Sequence, residues 1–347
     1  MGEVRQSGED QEVLLLNLYA HFPFCRRKCT YCALHSYAGT STETRAKYVS
    51  KIANEIASLS NSLSTVYFGG GSPALCDLEP ILKAINPLLS EDYEFTVELH
   101  PLDVSHEVLE TLKAGGVNRI SMGVQSLDDA VLSHMGRGYT FDKAEKAFAT
   151  IKEHFDNAGI DLIVGYPNDS GFQRIEQLAS WGLMHCSVYS LILEERSRLA
   201  HHLDSLALPP DDVVLDNIRG ISRFLSSLGL RRYEISNYAI PGFECRHNMA
   251  VWRGEDYIGI GEGAYGRIGL DRIESGKRKR ITSKEDELER RLFRLRTIEG
   301  LDPCGHPEWI SILEKFASEN ILEKCGTVYI LTERGTEVCD SILAELV

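Results

Sequence analysis

The sequence lacks a long hydrophobic run, and this absence excludes a membrane-spanning helix. None of the apolar runs in its 347 residues approaches the ~18 residues that such a helix needs. The first residues, MGEVRQSGEDQ, are polar and lack the basic start and apolar core of a signal peptide. We therefore expect a cytoplasmic protein without a membrane span, an expectation that is compatible with peripheral membrane contact.

An excess of positive charge is also missing. Asp and Glu number 51 against 37 Lys and Arg, which gives a net charge of −14. Proteins that bind nucleic acids present a basic face, so we expect no nucleic-acid partner. The dense basic run GKRKR, at 276–280, is predicted to belong to a short exposed hairpin.

The nine cysteines do not form two separated metal-binding pairs. Only Cys25, Cys29 and Cys32 cluster, within the segment HFPFCRRKCTYC at 21–32. In a reducing cytoplasm the other six are expected to behave as small hydrophobic residues. These six are Cys76, Cys186, Cys245, Cys304, Cys325 and Cys339. A metal-site prediction therefore depends on the first three alone.

Short apolar runs alternate with helical patterns along the first half of the chain. The predicted strands are 13–22, 64–73, 94–101, 118–126, 159–167 and 185–193. Strand–helix units in series are typical of a parallel sheet with helices on the outside. Eight units would close a barrel of about 250 residues, so six units predict an α/β fold with an open, partial barrel.

The rest of the chain has a different character, which suggests four regions. We predict a polar tail over 1–13, the barrel domain over 14–205 and an extension over 206–283. The extension begins with an amphipathic helix at 211–229, and its segment 231–266 is expected to be irregular. A small C-terminal α+β domain over 284–347, with helices around a hairpin, is predicted to resemble a winged helix. Its net charge of −6, from 8 basic and 14 acidic residues, argues against DNA binding.

Polar residues and glycines recur where the predicted strands end. The cysteines follow the first strand and the glycines 69–71 end the second, while Glu98, Gln125 and Asp161 lie on or just after later strands. Ligands of open parallel sheets bind beyond the carboxyl ends of the strands. This edge of the sheet is therefore predicted to carry the functional site.

The cysteine spacing, C-x3-C-x2-C, is compatible with two kinds of metal site. Three thiolates could hold zinc if His21 or His35 supplied a fourth ligand. Alternatively, three thiolates could hold a [4Fe–4S] cluster and leave one iron open to a small molecule. The position of the cysteines in a loop after the first strand, flanked by aromatic residues, favours the cluster.

The segment YAHFPFCRRKCTYC resembles the cluster motif of radical S-adenosylmethionine (AdoMet, SAM) proteins. The resemblance is strongest to the branch that contains oxygen-independent coproporphyrinogen III dehydrogenases and HemW-type heme chaperones. Further segments match that branch in order: YFGGGSP, GVNRISMGVQS, GRGYT, IDLIVGYP, YEISNYA, HNMAVW and YIGIGEGAYG. The likeness spans roughly residues 14–347.

This resemblance implies a set of cofactor contacts. Cys25, Cys29 and Cys32 would hold the cluster, and AdoMet would chelate the open iron, where one electron can split its sulfonium. Gly70, Gly71 and Ser72 would approach the methionine part through backbone N–H groups. Tyr19 and Tyr31 would line AdoMet near the cluster, and Glu98, Gln125, Arg137 and Asp161 would contact its polar groups. Taken singly, several of these residues have structural explanations, such as a strand-end cap or a surface ion pair.

Two features separate the members of this branch. The dehydrogenases carry a further cysteine where this sequence has Leu34, and they have a longer segment before the motif. The chaperones carry HNxxYW, which His247, Asn248 and Trp252 match, although Val251 replaces the tyrosine. An imidazole can bind heme iron and an aromatic ring can pack on the macrocycle, so the resemblance implies heme contact here. Cys245 could be a second ligand or a buried thiol.

The resemblance therefore implies a heme chaperone-like protein that binds a [4Fe–4S] cluster, AdoMet and heme. It would deliver heme to an acceptor protein and would draw on a reducing electron donor. The alternative is a radical AdoMet enzyme, either a coproporphyrinogen III dehydrogenase or one that modifies another substrate. A zinc-stapled scaffold is a third class. Two departures from the branch are Ser72, where it has threonine, and Tyr265, where the chaperones usually have histidine.

Overall fold

The computed structural model describes residues 15–201 and 207–347. The predicted polar tail at 1–13 and the predicted boundary at 205 lie outside these ranges. None of the described helices has the length and apolar character required to cross a membrane.

A twelve-stranded sheet forms the centre of the protein, and two short two-stranded sheets accompany it. The strands are β1 (Leu15–Phe22), β2 (Phe24–Cys25), β3 (Tyr37–Ala38), β4 (Ser62–Gly70), β5 (Leu89–Leu99), β6 (Arg119–Gln125), β7 (Ala158–Val164), β8 (His185–Ser190), β9 (Arg231–Arg232), β10 (Asn237–Ala239), β11 (Tyr257–Ile260), β12 (Tyr265–Ile268), β13 (Asp271–Glu274), β14 (Lys277–Arg280), β15 (Leu322–Cys325) and β16 (Val328–Leu331).

Helices cover one face of the central sheet and build the C-terminal part. They are α1 (Thr42–Ala57), α2 (Glu79–Ile85), α3 (His106–Ala114), α4 (Asp129–Met135), α5 (Phe141–Lys152), α6 (Asp211–Ser227), α7 (Arg246–Trp252), α8 (Ser283–Leu295), α9 (Pro307–Ser318), α10 (Glu333–Glu337) and α11 (Cys339–Leu346). A long 3₁₀ helix, Gly171–Trp181, connects β7 to β8.

Six strands, β1, β4, β5, β6, β7 and β8, lie side by side in chain order and run parallel. The two edges of the sheet, β14 and β9, do not pair, so it stays open. The predicted α/β fold with six parallel strand–helix units is confirmed. The hairpin predicted around the basic run is also present, because β13 and β14 pair antiparallel.

The segment 231–266 is more regular than predicted. It contains β11, which runs parallel to β1 and so adds a seventh parallel strand, and it also contains α7. The strand is only four residues long and three of them are half-buried, so it gives no apolar run. At its centre, a Cβ on Gly259 would lie 2.0 Å from the backbone oxygen of Tyr265, which explains the glycine.

The two faces of the parallel strands differ in chemistry. Side chains alternate between faces along a strand. One set is apolar and packs in the main core under the helices: Leu18, Phe22, Val66, Phe68, Phe95, Val97, Ile120, Met122 and Ile160. The opposite, inner face is buried but polar: Asn17, His21, Thr65, Glu94, Thr96, Arg119, Ser121, His185 and Ser187. A buried polar face must be satisfied by hydrogen bonds or used by a ligand.

The C-terminal helices and the β15–β16 hairpin pack around a core of their own, which includes Trp309 and Leu313. The Arg219 guanidinium on α6 donates two hydrogen bonds, of 2.6 and 2.7 Å, to the Glu337 carboxylate on α10. Arg267 and Arg272 both donate to Asp286 on α8. The first pair joins α10 to α6, and the other two join α8 to the sheet. The domain boundary at 284 stays a prediction.

Candidate functional site

The three clustered cysteines lie in the loop that follows β1, and all three are half-buried. The glycine segment after β4 holds this loop. The N–H of Gly71 donates to the Phe22 carbonyl and the N–H of Ser72 donates to the Phe24 carbonyl, each at 2.7 Å. A Cβ on Gly71 would lie 2.4 Å from the Phe24 oxygen and 2.9 Å from Cys25 Sγ, so only glycine fits there.

Two of the cysteine thiols have raised pKa values. Burial, and then the neighbouring Cys32 and Cys29, raises the pKa of Cys25 to about 11. Burial also raises the pKa of Cys32. Three adjacent thiolates are therefore unfavourable by themselves, and they need a cationic metal centre that displaces the protons. This donor set fits a [4Fe–4S] cluster with three protein ligands.

A cavity of about 300 Å³ adjoins these thiols, and we call it the cysteine cavity. Ten predicted site residues line it: Cys25, Cys29, Cys32, Tyr31, Gly70, Gly71, Glu98, Gln125, Arg137 and Asp161. They come from five parallel strands and their connections, because the carboxyl ends of those strands meet at one edge of the sheet. The cavity therefore brings together most of the residues expected to contact the cluster and AdoMet.

The glycine segment differs in one respect from the expectation that its N–H groups approach AdoMet. The N–H of Gly70 donates to Glu98 Oε2 at 3.1 Å, and those of Gly71 and Ser72 donate to the loop. The Ser72 hydroxyl donates to Asp103, and Ser72 is not among the residues that line the cavity. These three N–H groups are therefore engaged within the protein, and the segment lines the cavity with Gly70 and Gly71, which carry no side chains.

Two half-buried carboxyl groups, Glu98 and Asp161, line the cysteine cavity. Glu98 accepts a hydrogen bond from the Tyr67 hydroxyl at 2.8 Å, and Asp161 accepts one from the Ser121 hydroxyl at 3.0 Å. Burial, and then the charge of Asp161, raises the pKa of Glu98 to about 7. Burial also raises the pKa of Asp161. Acidic side chains in this position suit the amino group and the sulfonium of AdoMet.

The raised pKa of Glu98 makes a testable contribution to stability. The group titrates near 4.5 when unfolded and near 7 when folded, so its contribution is full below about pH 4.5 and is lost as pH rises through 7. In the absence of ligands, we expect the unfolding free energy of the Glu98→Gln variant to be higher than that of the unsubstituted protein at pH 8, but not at pH 4. The gain is at most a few kcal/mol, since one pKa unit corresponds to about 1.4 kcal/mol.

Urea titrations at both pH values measure this difference. Glu110→Gln on the exposed face of α3 is the matched control, because it removes the same charge from a solvated position. An unchanged pH dependence of stability in Glu98→Gln would contradict the prediction, because it would show that folding does not raise the pKa of this carboxyl.

Arg137 and Gln125 complete the polar lining. The guanidinium of Arg137 donates to Gly123 O at 2.6 Å, to the Tyr139 hydroxyl at 3.0 Å and to Cys29 Sγ at 3.4 Å. It is thus a cation held beside the cysteine loop rather than a surface ion pair. Gln125 adopts φ 74°, which is unusual for a residue with a side chain, where the β6–β7 register shifts. Such conformations cluster at functional sites.

A second cavity, of about 590 Å³, lies against the first and is lined by His247, Asn248, Val251 and Trp252 of α7. We call it the histidine cavity. Four residues line both cavities: Leu34, Tyr67, Glu98 and Tyr189. Leu34, at the position where the dehydrogenases have a cysteine, is 53% exposed. The segment HNMAVW at 247–252 and the three cysteines therefore line adjacent cavities that share a wall.

Tyr19 lies in the histidine cavity and is absent from the cysteine cavity. Its neighbours across the sheet are Tyr67 and Gly259, and its hydroxyl pairs with His21 Nδ1 at 3.0 Å. The Tyr19 ring lies 6.4 Å from that of His247. Tyr19 therefore lines the same cavity as His247 and not the cavity of the cysteines. Tyr265 also lines the histidine cavity, and its hydroxyl donates to Glu274.

His247 is 4% exposed and is surrounded by aromatic rings. Its ring lies 5.3 Å from Tyr67 and 6.3 Å from Tyr257. Burial, and then the nearby Arg119, lowers the pKa of His247 to about 3. The imidazole is therefore neutral at physiological pH, which is the form that binds a metal ion.

Two buried residues that the sequence reasoning missed support α7. Glu94 on β5 accepts the backbone N–H groups of Arg246 and His247, at 3.1 and 3.2 Å, and thereby caps the helix. Arg119 on β6 is 2% exposed, and its charge acts on Glu94. Cys245 is fully buried, with its thiol donating to Glu94 at 3.5 Å. Of the two readings of this cysteine, the structure thus favours the buried thiol.

Comparison with known proteins completes the description. The family model of the Radical SAM superfamily matches residues 19–179. Heme chaperone HemW of Lactococcus lactis subsp. lactis (strain IL1403) is 36% identical over 265 residues, which cover 72% of this chain and 69% of the relative. Heme chaperone HemW of Bacillus subtilis (strain 168) is 30% identical over 377 aligned positions, which cover 94% of this chain and 99% of the relative.

A solved structure has a similar fold. It is coproporphyrinogen III oxidase (HemN) from Escherichia coli, described as a radical SAM enzyme, with a TM-score of 0.79 and 20% identity. The match covers 95% of this chain and 89% of that chain. At this level of identity the likeness concerns the fold alone, and it extends over the C-terminal part as well as the sheet.

Proposed function

Because this chain belongs to the HemW family of radical SAM proteins, we propose that it is a heme chaperone that holds a [4Fe–4S] cluster and AdoMet and delivers heme to an acceptor protein. The cysteine cavity would hold the cluster and AdoMet, and the histidine cavity would hold heme. The observation that carries this proposal is the position of the buried, neutral His247 on a cavity that adjoins the three cysteines.

The residues of the cysteine cavity suit AdoMet in charge as well as in position. The cluster supplies an open iron and single electrons when it is bound. Glu98 and Asp161 face the cavity as carboxyl groups for the cationic parts of AdoMet, and Arg137 is the cation for its carboxylate. Gly70 and Gly71 leave the space next to Cys25 free of side chains. The electrons would come from a reducing partner protein.

The histidine cavity suits heme because it combines a metal ligand with several aromatic side chains. A volume of about 590 Å³ is within the range of cofactor pockets. Tyr19, Tyr67, Tyr257 and Trp252 line it and can pack against a macrocycle. Val251 belongs to the same wall, so the replacement of the family's tyrosine keeps an apolar surface there.

A heme titration of the purified, cluster-containing protein tests this function. We expect a saturable Soret band at one heme per chain. We expect His247→Ala to weaken heme binding by more than ~10–100-fold, which is the typical cost of removing a hydrogen-bond partner of a metal-binding side chain. His106→Ala, at an exposed position on α3, is the matched control. Absence of saturable binding, or equal binding by His247→Ala, would contradict a heme site at this residue.

The alternative function, porphyrinogen oxidation, is distinguished by its product. The protein has Leu34 where the dehydrogenases have a cysteine, so we expect no conversion of coproporphyrinogen III under anaerobic, reducing conditions. Chromatographic detection of protoporphyrinogen in amounts above the protein concentration would favour the enzyme over the chaperone.

A further inference from the structure

We propose that Asn17 and Thr65 fix the tautomer of His247, so that its Nε2 lone pair faces the histidine cavity. This inference depends on the proposed function, because it concerns how the same histidine binds heme iron. Asn17 lies on β1 and Thr65 is its register partner on β4, and Thr65 precedes His247 by 182 residues. Both residues are 3% exposed.

The orientation of the Asn17 amide is fixed from both sides. Its Nδ2 donates to the Asp256 carbonyl at 3.1 Å and to Glu255 Oε2 at 3.5 Å, and both partners can only accept. Its Oδ1 accepts from the hydroxyls of Ser64, at 3.0 Å, and Thr65, at 2.8 Å. Rotating the amide by 180° would place oxygen against two acceptors, so the oxygen must face Thr65.

Thr65 has one hydroxyl proton to give, and Asn17 takes it. A hydroxyl donates once and accepts with its lone pairs. Because the proton points to Asn17 Oδ1, the second short contact of Thr65 Oγ1, at 2.8 Å to His247 Nδ1, must be one that the hydroxyl accepts. The histidine is therefore the donor, and Nδ1 carries the proton.

A neutral imidazole with a proton on Nδ1 has its lone pair on Nε2. The Nδ1 contact with Thr65 is the hydrogen bond that the His247 ring makes within the described parts of the chain. The ring lines the histidine cavity, which leaves Nε2 as the nitrogen available to a ligand. Turning the ring over would put a C–H group against Thr65 and lose this bond.

The neighbours of His247 keep the ring in this orientation. The rings of Tyr19, Tyr67 and Tyr257 surround it, and its backbone N–H is bonded to Glu94. Metal-binding histidines usually donate their other ring nitrogen to an oxygen acceptor, which fixes the tautomer and raises the basicity of the ligand. Thr65 supplies this acceptor, and Asn17 makes Thr65 act as one.

Heme titration of Thr65 variants tests this arrangement. Thr65→Val keeps the shape of the side chain but removes the acceptor, so we expect a heme affinity about 10–100-fold weaker, with unchanged cluster content. Thr65→Ser retains the hydroxyl and should restore affinity. Thr111→Val is the matched control, because Thr111 is exposed on α3 and does not line the histidine cavity, and we expect it to leave the affinity unchanged.

A measurement on the unsubstituted protein reads the tautomer directly. In ¹⁵N-histidine-labelled full-length protein, we expect the His247 signals, identified by their loss in His247→Gln, to show a protonated Nδ1 and an unprotonated Nε2 without heme. A proton on Nε2, or full heme affinity in Thr65→Val, would overturn the inference. If His247→Ala also binds heme normally, the proposed function itself fails, so the two failures are distinguishable.

Discussion

We expect Cys25→Ala, Cys29→Ala and Cys32→Ala each to abolish the iron–sulfur cluster. The three thiols lie on one loop beside one cavity, and they supply the protein ligands that a cluster with an open iron needs. Two remaining thiolates cannot hold the cube. Iron and sulfide analysis after anaerobic reconstitution, together with the visible absorption of the cluster, measures the loss.

The chain offers two matched controls for this prediction. Cys304 and Cys325 are exposed and distant from the cysteine cavity, so their alanine variants should retain the full cluster. An equal loss of cluster in Cys304→Ala would contradict the ligand assignment. Retention of four irons per chain in an alanine variant of Cys25, Cys29 or Cys32 would also contradict it. Because ligation displaces thiol protons, cluster assembly should also become weaker as pH falls.

Gly71→Ala is expected to destabilise the protein strongly, because it adds a methyl group where the glycine segment meets the cysteine loop. The new Cβ would meet backbone oxygens, 2.4 Å from Phe24 O and 2.8 Å from Phe22 O, which cannot turn away as a flexible side chain can. Overpacking of this kind typically costs about 1–3 kcal/mol, and more where backbone must move. We therefore expect the unfolding free energy to drop by about 3 kcal/mol and the cluster content to fall with it.

Gly220→Ala provides the control for this substitution. Gly220 lies within α6, and no described atom is within 4 Å of the Cβ it would gain. Alanine is favoured over glycine in a helix interior, so this variant should gain about 0.5–1 kcal/mol. Urea unfolding of both variants gives the comparison, and a Gly71→Ala protein as stable as the unsubstituted one would refute the tight approach of the glycine segment to the cysteine loop.

The parallel sheet could be predicted because its strands are apolar runs separated by helical patterns. The cysteine cavity followed from the same reasoning, since the carboxyl ends of parallel strands share an edge and Cys25, Glu98 and Asp161 all fall there. Both inferences depend on the order of apolar and polar residues along the sequence, which can be recognised without knowledge of side-chain packing. The role of each residue toward AdoMet stays a prediction.

The inner face of the sheet was not predicted, although the sequence contains a signal for it. In NLYAHF, Asn17, Tyr19 and His21 alternate with apolar residues, and Glu94, Thr96 and Glu98 do the same in EFTVEL. Such alternation indicates one polar face. Treating these segments as uniformly buried strands hides that face, and with it the supports of His247. The contact between Thr65 and His247 joins residues 182 positions apart, which a single sequence does not reveal.

The division of the candidate site into two cavities also could not be predicted from the sequence. Tyr19 precedes the first of the cysteines by six residues, and its place on β1 puts it against Tyr67 and Gly259, while its contact with AdoMet stays a prediction. The short helix α4 was missed because it has only seven residues, although Asp128 caps it by accepting the N–H groups of Ala130 and Val131. For Tyr19, tertiary position rather than local pattern decides which cavity the side chain lines.

Spectroscopy of the anaerobically reconstituted protein, with AdoMet and heme added in turn, tests the central claim most directly. We predict iron and sulfide for one [4Fe–4S] cluster, a change in the electron paramagnetic resonance of the reduced cluster on addition of AdoMet, and then a saturable Soret band at one heme per chain with the cluster intact. Zinc without iron and sulfide, or heme that binds only by displacing the cluster, would contradict the account of two adjacent sites.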